Sequence, residues 1–275
     1  IGQGRCGTVW AVLCSNCTGH HHLAMKREDG STGRSILHEY QMHRKLLEAS
    51  LLYDITSFAI PRSFGYLSYQ DITAWSGVLP RLPENYTGCN AIVSEKIIPL
   101  PSSTRRLIVQ NFRPDVDEES VLKSQNNEHC LIRPYLAFSL RNFPLHLDQM
   151  EHLGIDPGDY AMAMADALAF LHWVAKVDGN DVEYVLAQPR SQPDAVSNQM
   201  QLEGGHSNNA DILGPHTMWI LDFDLCRDLT LDEKGIEQAS NAFWGNDPYY
   251  PRPCSVNPAN QRLWSIFEER FIQSS

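Results

Sequence analysis

Four stretches of this 275-residue chain hold side chains that could do chemistry. Gly2-Gln3-Gly4-Arg5-Cys6-Gly7-Thr8-Val9 has the spacing of a turn whose glycines let backbone N–H groups approach an anion unobstructed. Gly2, Gly4 and Gly7 are the loop donors in that reading, although a structural tight turn explains the same glycines. No helix follows the turn, which disfavours a dinucleotide-binding fold. Lys26 closes the apolar run Leu23-Ala24-Met25, and Glu39 falls on the next expected helix, placed to pair with it. Asp178, Asp181 and Glu183 share the stretch Asp178-Gly179-Asn180-Asp181-Val182-Glu183, and Asp222 and Asp224 flank Phe223 after the strand-like Trp219-Ile220-Leu221. Carboxylates gathered around a lysine must bind cations, raise their own pKa values or face water. They also bind the planar fork of a guanidinium in pairs.

In their fixed order these stretches resemble the protein-kinase fold over nearly the whole chain. The glycine turn fits G-x-G-x-x-G-x-V, Leu23-Ala24-Met25-Lys26 has the form of V-A-I-K, and Ile220-Leu221-Asp222-Phe223-Asp224-Leu225-Cys226-Arg227 is similar to a strand followed by D-F-G-L-A-R. The resemblance implies an α+β, two-lobed architecture. A small sheet lobe over residues 1–97 would carry the glycine loop, Lys26 and the Glu39 helix. A larger, mostly helical lobe over 98–275 would carry Asp178 and Asp222-Phe223-Asp224, with 188–215 a mobile loop. The departures are informative. Lys176-Val177-Asp178 replaces H-R-D, Glu183 stands where the kinase asparagine would, and Asp224 replaces the last glycine of D-F-G. Asp178, Glu183, Asp222 and Asp224 are then expected to converge on one lysine, more acid than two Mg²⁺ ions and ATP require. An A-P-E-like triplet is missing, Asn246-Asp247-Pro248 being the nearest stretch, so protein phosphorylation is not expected.

Longer strings carry a second resemblance. Met25-Lys26-Arg27-Glu28-Asp29, His38-Glu39-Tyr40-Gln41-Met42-His43, Cys130-Leu131-Ile132-Arg133-Pro134-Tyr135 and Asn246-Asp247-Pro248-Tyr249-Tyr250-Pro251-Arg252-Pro253 look like a fungal family labelled zinc-finger-like and of unknown function. That family resembles the group containing the fungal arginine-containing cyclodipeptide synthases, which condense arginine with a second amino acid from aminoacyl-tRNA. The resemblance implies arginyl-tRNA and a second aminoacyl-tRNA as partners, and no cofactor, since the esters carry the activation. Peptide-bond formation from two esters needs a base to free an α-amine and donors for the oxyanion. Asp178 is the expected base, Lys26 and the Gly4–Gly7 backbone the donors, and Asp222 the third catalytic group. Asp224, Glu183, Glu39 and Asp181 are expected to bind the arginine side chain. Arg105, Arg106, Arg113, Arg133 and Arg141 are the tRNA contact candidates, against the simpler reading of an ion-paired surface. The alternatives are a small-molecule phosphotransferase using Mg-ATP and a pseudokinase scaffold.

The elements that must position these groups follow from periodicity. Thr8–Leu13 and Leu23–Lys26 read as strands around the polar turn Cys14–His22. Ser35–Leu47 reads as a helix with Ile36, Tyr40, His43 and Leu47 on one face. Phe64–Leu67, Trp75–Leu79 and Ala91–Val93 are strand-like, Pro114–Glu128 is a loop or short surface helix, and Gly158–Trp173 is the firmest helix, opened by Asp156-Pro157. Val182–Leu186 and Met218–Leu221 complete the strands, and Gln188–Pro215 has loop composition.

Composition bounds the rest. The formal charge is −11, with 15 basic and 13 acidic residues over 1–141 but 7 and 20 over 142–275. That balance argues against broad nucleic-acid binding while leaving room for a local basic patch in the first half. No apolar run reaches the roughly 18–20 residues a membrane helix needs, so no membrane span is expected. Seven scattered cysteines point to reduced thiols in a cytoplasmic protein. Cys14, Cys17, His20, His21 and His22 crowd one hairpin tip without the separation of a structural zinc finger, so no metal is expected there. Position 1 is Ile, and a trimmed start is expected.

Overall fold

The computed structural model describes residues 2–3, 6–13, 22–113, 115, 117–123, 129–135, 144–190, 212–246, 249–254 and 256–275. The chain is α+β. Strands β1 (Gly2–Gln3), β2 (Thr8–Leu13) and β3 (His22–Arg27) open it and are followed by helix α1 (Ile36–Ser50). Then come β4 (Ser63–Leu67), α2 (Ile72–Val78) and β5 (Ala91–Glu95). These five strands form one antiparallel sheet in the order β1-β2-β3-β5-β4. Strand alternation divides the side chains of β3 between the two faces. Met25 packs with Trp75 and Ala91, and Arg27 lies over the rings of Trp75 and Tyr86, whereas Lys26 points to the opposite face, under α1.

Ser35 caps α1 by accepting the His38 N–H. The buried face of α1 is Ile36, Glu39, Met42, His43, Leu46 and Ala49, so Leu46 rather than the expected Leu47 is its inner leucine. Glu39 therefore stands on an apolar stripe, where a carboxylate needs a cation. A second correction concerns Trp75–Leu79, expected as a strand. It lies largely in helix α2, started by Asp71, whose side chain accepts the Ala74 N–H. Only Trp75 of that helix is buried, and an apolar run with one inward residue suits a short helix better than a core strand.

The second half begins with α3 (Ser102–Phe112), which the sequence reading missed, and α4 (Glu118–Lys123), the short surface helix allowed for there. Parallel strands β6 (Arg133–Tyr135) and β7 (Pro144–His146) lead to α5 (Leu147–His152) and α6 (Pro157–Ala169). Asp156 caps α6 and Pro157 occupies its first turn, as expected. Past Ala169 the helix widens into a π turn, Phe170–Val174. Strands β8 (Glu183–Ala187) and β9 (Thr217–Leu221) pair antiparallel, and α7 (Glu233–Gly245) and α8 (Pro258–Ser274) close the chain. Most of the expected 188–215 loop, residues 191–211, lies outside the described residues. The large core gathers Met164, Leu168, Tyr184, Ile220, Phe223 and Phe267 among others. Arg270 on α8 clamps the Asp166 carboxylate of α6 with contacts of 2.6 and 3.0 Å. Among the described residues no helix is long and apolar enough to cross a membrane.

One glycine fixes how α7 starts. A Cβ on Gly235 would overlap the Thr230 carbonyl oxygen, whereas one on Gly245 would meet nothing. Helix propensity favours alanine at either site by about 1 kcal/mol, but overpacking costs about 1–3 kcal/mol. Gly235→Ala is expected to lower the thermal midpoint in differential scanning calorimetry, and Gly245→Ala to leave it level or raised.

Candidate functional site

The site forms where β3, α1, the turn before β8 and the end of β9 meet. Register brings the last two together: Glu183 at the start of β8 pairs with Leu221 at the end of β9, one residue before Asp222. Asp222 has left-handed backbone at φ 66°, and Asp181 in the facing turn has φ 63°. Aspartate accepts that region more readily than most residues, and such backbone concentrates at functional sites. Phe223 is buried and its ring sits 5.4 Å from His43, so its insertion into the core leaves Asp222 and Asp224 on the other side.

Lys26 is the hub. Its Nζ lies 2.8 Å from Glu39 Oε2 and 2.7 Å from Asp222 Oδ1. Burial works against the ammonium charge, but Glu39 and then Asp222 outweigh it and hold Lys26 above the ordinary lysine value. Asp222 is itself pushed up, by burial first, despite the lysine. Asp224 is fully buried at its side chain and goes elsewhere. Its Oδ2 accepts from Arg34 Nη1 at 2.6 Å and from the Cys6 thiol at 2.8 Å, and these bonds carry its pKa down against the burial that would raise it. Arg34 also reaches Asp181 at 3.4 Å. Glu183 is paired with Arg133 at 2.7 Å. Burial nonetheless raises the Glu183 carboxyl to about 7.

The expected convergence of four carboxylates on one lysine is thus corrected. Lys26 takes Glu39 and Asp222, while Asp224 and Glu183 hold arginines of the chain itself. Asp178, the expected base, is 3% exposed. Its oxygens accept from the Arg227 and Asn180 N–H groups and from Gln238, so it ties the 178–180 turn to the segments that carry Arg227 and Gln238. The glycine loop differs too. A Cβ on Gly7 would overlap the Arg27 carbonyl and the Asp29 carboxylate, and Asp29 takes the Thr8 N–H at 2.6 Å. The Thr8 N–H, beside the expected loop donors, is thus taken by the chain's own anion. Gly2 is exposed in β1, and Gly4 lies outside the described residues.

Nor do the four described arginines of the five make one basic face. Arg106 pairs with Glu118 and Glu119, Arg113 with Asp115 and Arg133 with Glu183. Arg105 lines a small apolar cavity with Ile108, Val109 and Cys130, and Arg141 lies outside the described residues. Sequence reasoning missed Arg34, which belongs to no motif and follows an exposed run after β3.

Cys6 Sγ and one carboxylate oxygen from each of Asp222 and Asp224 lie within 4.8 Å of one another, close enough to hold a cation. The donor set suits Mg²⁺ poorly, since Mg²⁺ prefers oxygen in octahedral order. Burial and the Asp224 bond also push the Cys6 thiol up to about 12, so it stays protonated and makes a weak ligand and nucleophile. Cys226 is pushed up as well, by burial. A groove of about 750 Å³ opens elsewhere, between α1 and β4, and none of these site carboxylates lines it.

Residues 218–275 match a protein family described as zinc finger protein. The match runs from β9 through Asp222, Asp224, α7 and α8. No curated protein matches the chain, and no solved structure does. The matched segment contains two cysteines, Cys226 and Cys254, and no histidine. A structural zinc site takes four such ligands, and Cys226 is buried while Cys254 is exposed. The description therefore does not correspond to a zinc finger within the residues it covers. Residues 14–21, which hold most of the clustered Cys and His, lie outside the described residues.

The Glu183 shift has a sign in stability. Its folded pKa rises from the ordinary 4.5 to about 7, so between those values the folded state keeps a proton that the unfolded chain has lost. That contribution is complete below about pH 4.5 and is lost as pH rises towards 7. In urea melts, Glu183→Gln is expected to flatten the decline of stability from pH 5 to pH 8 by on the order of 1 kcal/mol. An unchanged slope would place the carboxyl at its ordinary value.

Proposed function

We propose that this chain is a two-lobed, kinase-like protein that works as an aminoacyl-tRNA-dependent synthase, joining arginine to a second amino acid as a cyclic dipeptide. The kinase-like part of the reading is supported by Lys26 tying Glu39 of α1 to Asp222 after β9 across a five-stranded antiparallel sheet. The arginine part is carried by one observation: Asp224, beside that lysine, already accepts a guanidinium at 2.6 Å. The family-like strings of the sequence supply the link to tRNA-borne amino acids.

The reaction needs no external energy source. The freed α-amine of one aminoacyl ester attacks the carbonyl of the other, a C–N bond forms, and the C–O bond to the ribose breaks. The amine proton passes through a base to the departing ribose oxygen. The second amine then closes the ring on the remaining ester in the same way. Glu183, with its carboxyl near 7, suits the base role better than the buried Asp178. Lys26 donates to the developing oxyanion, and Asp222 holds Lys26 in place.

The phosphotransferase reading rests on Lys26, Glu39 and Asp222, which would equally serve Mg-ATP. Against it stand Asp29 on the Thr8 N–H and Arg34 on Asp224. Calorimetry with millimolar Mg-ATP decides this point, since the synthase reading expects no binding heat.

The direct test is mass spectrometry of products from the chain mixed with tRNA, amino acids and active arginyl- and other aminoacyl-tRNA synthetases. An arginine-containing diketopiperazine that disappears on ribonuclease treatment is expected. Asp222→Ala and Asp224→Ala should each lower its formation by about 100-fold or more. No product from the wild type, with charged tRNA present, would reject the reading.

A further inference from the structure

Arg34 has an unusual position. It sits at the end of the β3–α1 connection, whose residues 29–33 are exposed and include Gly30 and Gly33, the latter at φ 95°. From this open segment its side chain turns inward until it is 15% exposed, and its Nη1 reaches the fully buried Asp224 carboxylate. The contact uses half of what a guanidinium can offer. Nη1 and the Cys6 thiol both donate to Oδ2, while Asp224 Oδ1 is buried and, among the described residues, has no hydrogen-bond partner. Asp181, the other carboxylate in reach, is met only at 3.4 and 3.5 Å. A buried carboxylate oxygen without a donor is costly, and a guanidinium bound through two parallel N–H groups would satisfy it.

We infer that Asp224 and Asp181 form a guanidinium seat which Arg34 occupies in place of a ligand, and which an arginine side chain takes by displacing it. The inference rests on the arginine reading above and gives it an address: the side chain of the arginine substrate enters between Asp224 and Asp181, and the β3–α1 connection swings out. The ligand gains the two-pronged contact with Asp224 that Arg34 makes with one prong. Lysine lacks the fork and gains no such advantage. Arg34 also acts as a threshold. A competing occupant reduces apparent affinity by the fraction of molecules with the seat open, so a seat filled nine times in ten weakens ligand binding about ten-fold.

The test uses the full chain and free L-arginine, with L-lysine and ethylguanidinium as comparison probes. Calorimetry is expected to show Arg34→Ala binding arginine about ten-fold or more tighter than wild type, with lysine unchanged. Adding Asp224→Asn to Arg34→Ala should abolish the gain. Equal or weaker arginine binding by a folded Arg34→Ala would overturn the inference. If loss of Arg34 destabilises the fold, ethylguanidinium should raise the thermal midpoint of Arg34→Ala and leave wild type unmoved. Equal shifts in both proteins, or none in the variant, would also overturn it. These measurements involve no tRNA. The seat can therefore fail while the wild type still makes a diketopiperazine, and the synthase reading can fail while the seat binds arginine.

Discussion

An ammonium largely withdrawn from water keeps its charge only with anions beside it, and in this chain that requirement joins segments far apart in sequence. Lys26 on β3 draws in Glu39 from the buried face of α1 and Asp222 from the end of β9. Glu39 would otherwise be a carboxylate on an apolar stripe, and Asp222 a half-buried acid on left-handed backbone. Removing the lysine would leave both uncompensated, which costs far more than the pair contributes while intact. Lys26 therefore ties α1 to the chain after β9, while Ile36, Met42 and Leu46 hold the helix by apolar packing.

The same rule organises the surrounding groups. Glu183 has Arg133, Asp224 has Arg34, and Asp29 has Arg27, which is itself held between Trp75 and Tyr86. The acidity of the second half does not leave an empty negative cleft. Cations from the first half reach across and pair with it: Lys26 with Asp222, Arg34 with Asp224 and Arg133 with Glu183.

What the sequence revealed and what it hid differ in kind. β2, β3, β5, β8 and β9 were legible because β-branched and apolar runs specify strands locally, and α6 because Asp156-Pro157 announces its start. Lys26, Glu39 and Asp222 could be chosen because their order along the chain resembles a known arrangement, and the structure does bring these three together. Pairing across space carried no such mark. Nothing in Gly33-Arg34-Ser35 shows that Arg34 turns inward, and nothing in Asp178-Gly179-Asn180 shows that the aspartate is spent on backbone N–H groups. Gly7 looked like room for an anionic ligand because glycine reports only that space is needed, not what fills it, and Asp29 fills it. Helices α7 and α8 went unread although their apolar residues, Phe243, Leu263, Trp264 and Phe267 among them, face the core, because no motif drew attention to them.

The π turn at Phe170–Val174 sets a spacing that the site inherits. A π turn holds one residue more than the α-helical turn it replaces. Each residue of an α-helix advances the chain by about 100° around the axis. The widened turn therefore decides the angle at which the chain leaves α6 and enters the tight bend of Lys176, Gly179 and Asp181, all at positive φ. Shortening the segment by one residue to restore a regular helix would keep Lys26, Glu39 and Asp222 and turn the bend that carries Asp181 by about 100°. The length of this helix is as much a part of the site as the acids beyond it, and homologous chains that differ by a single residue here would present a differently aimed cleft.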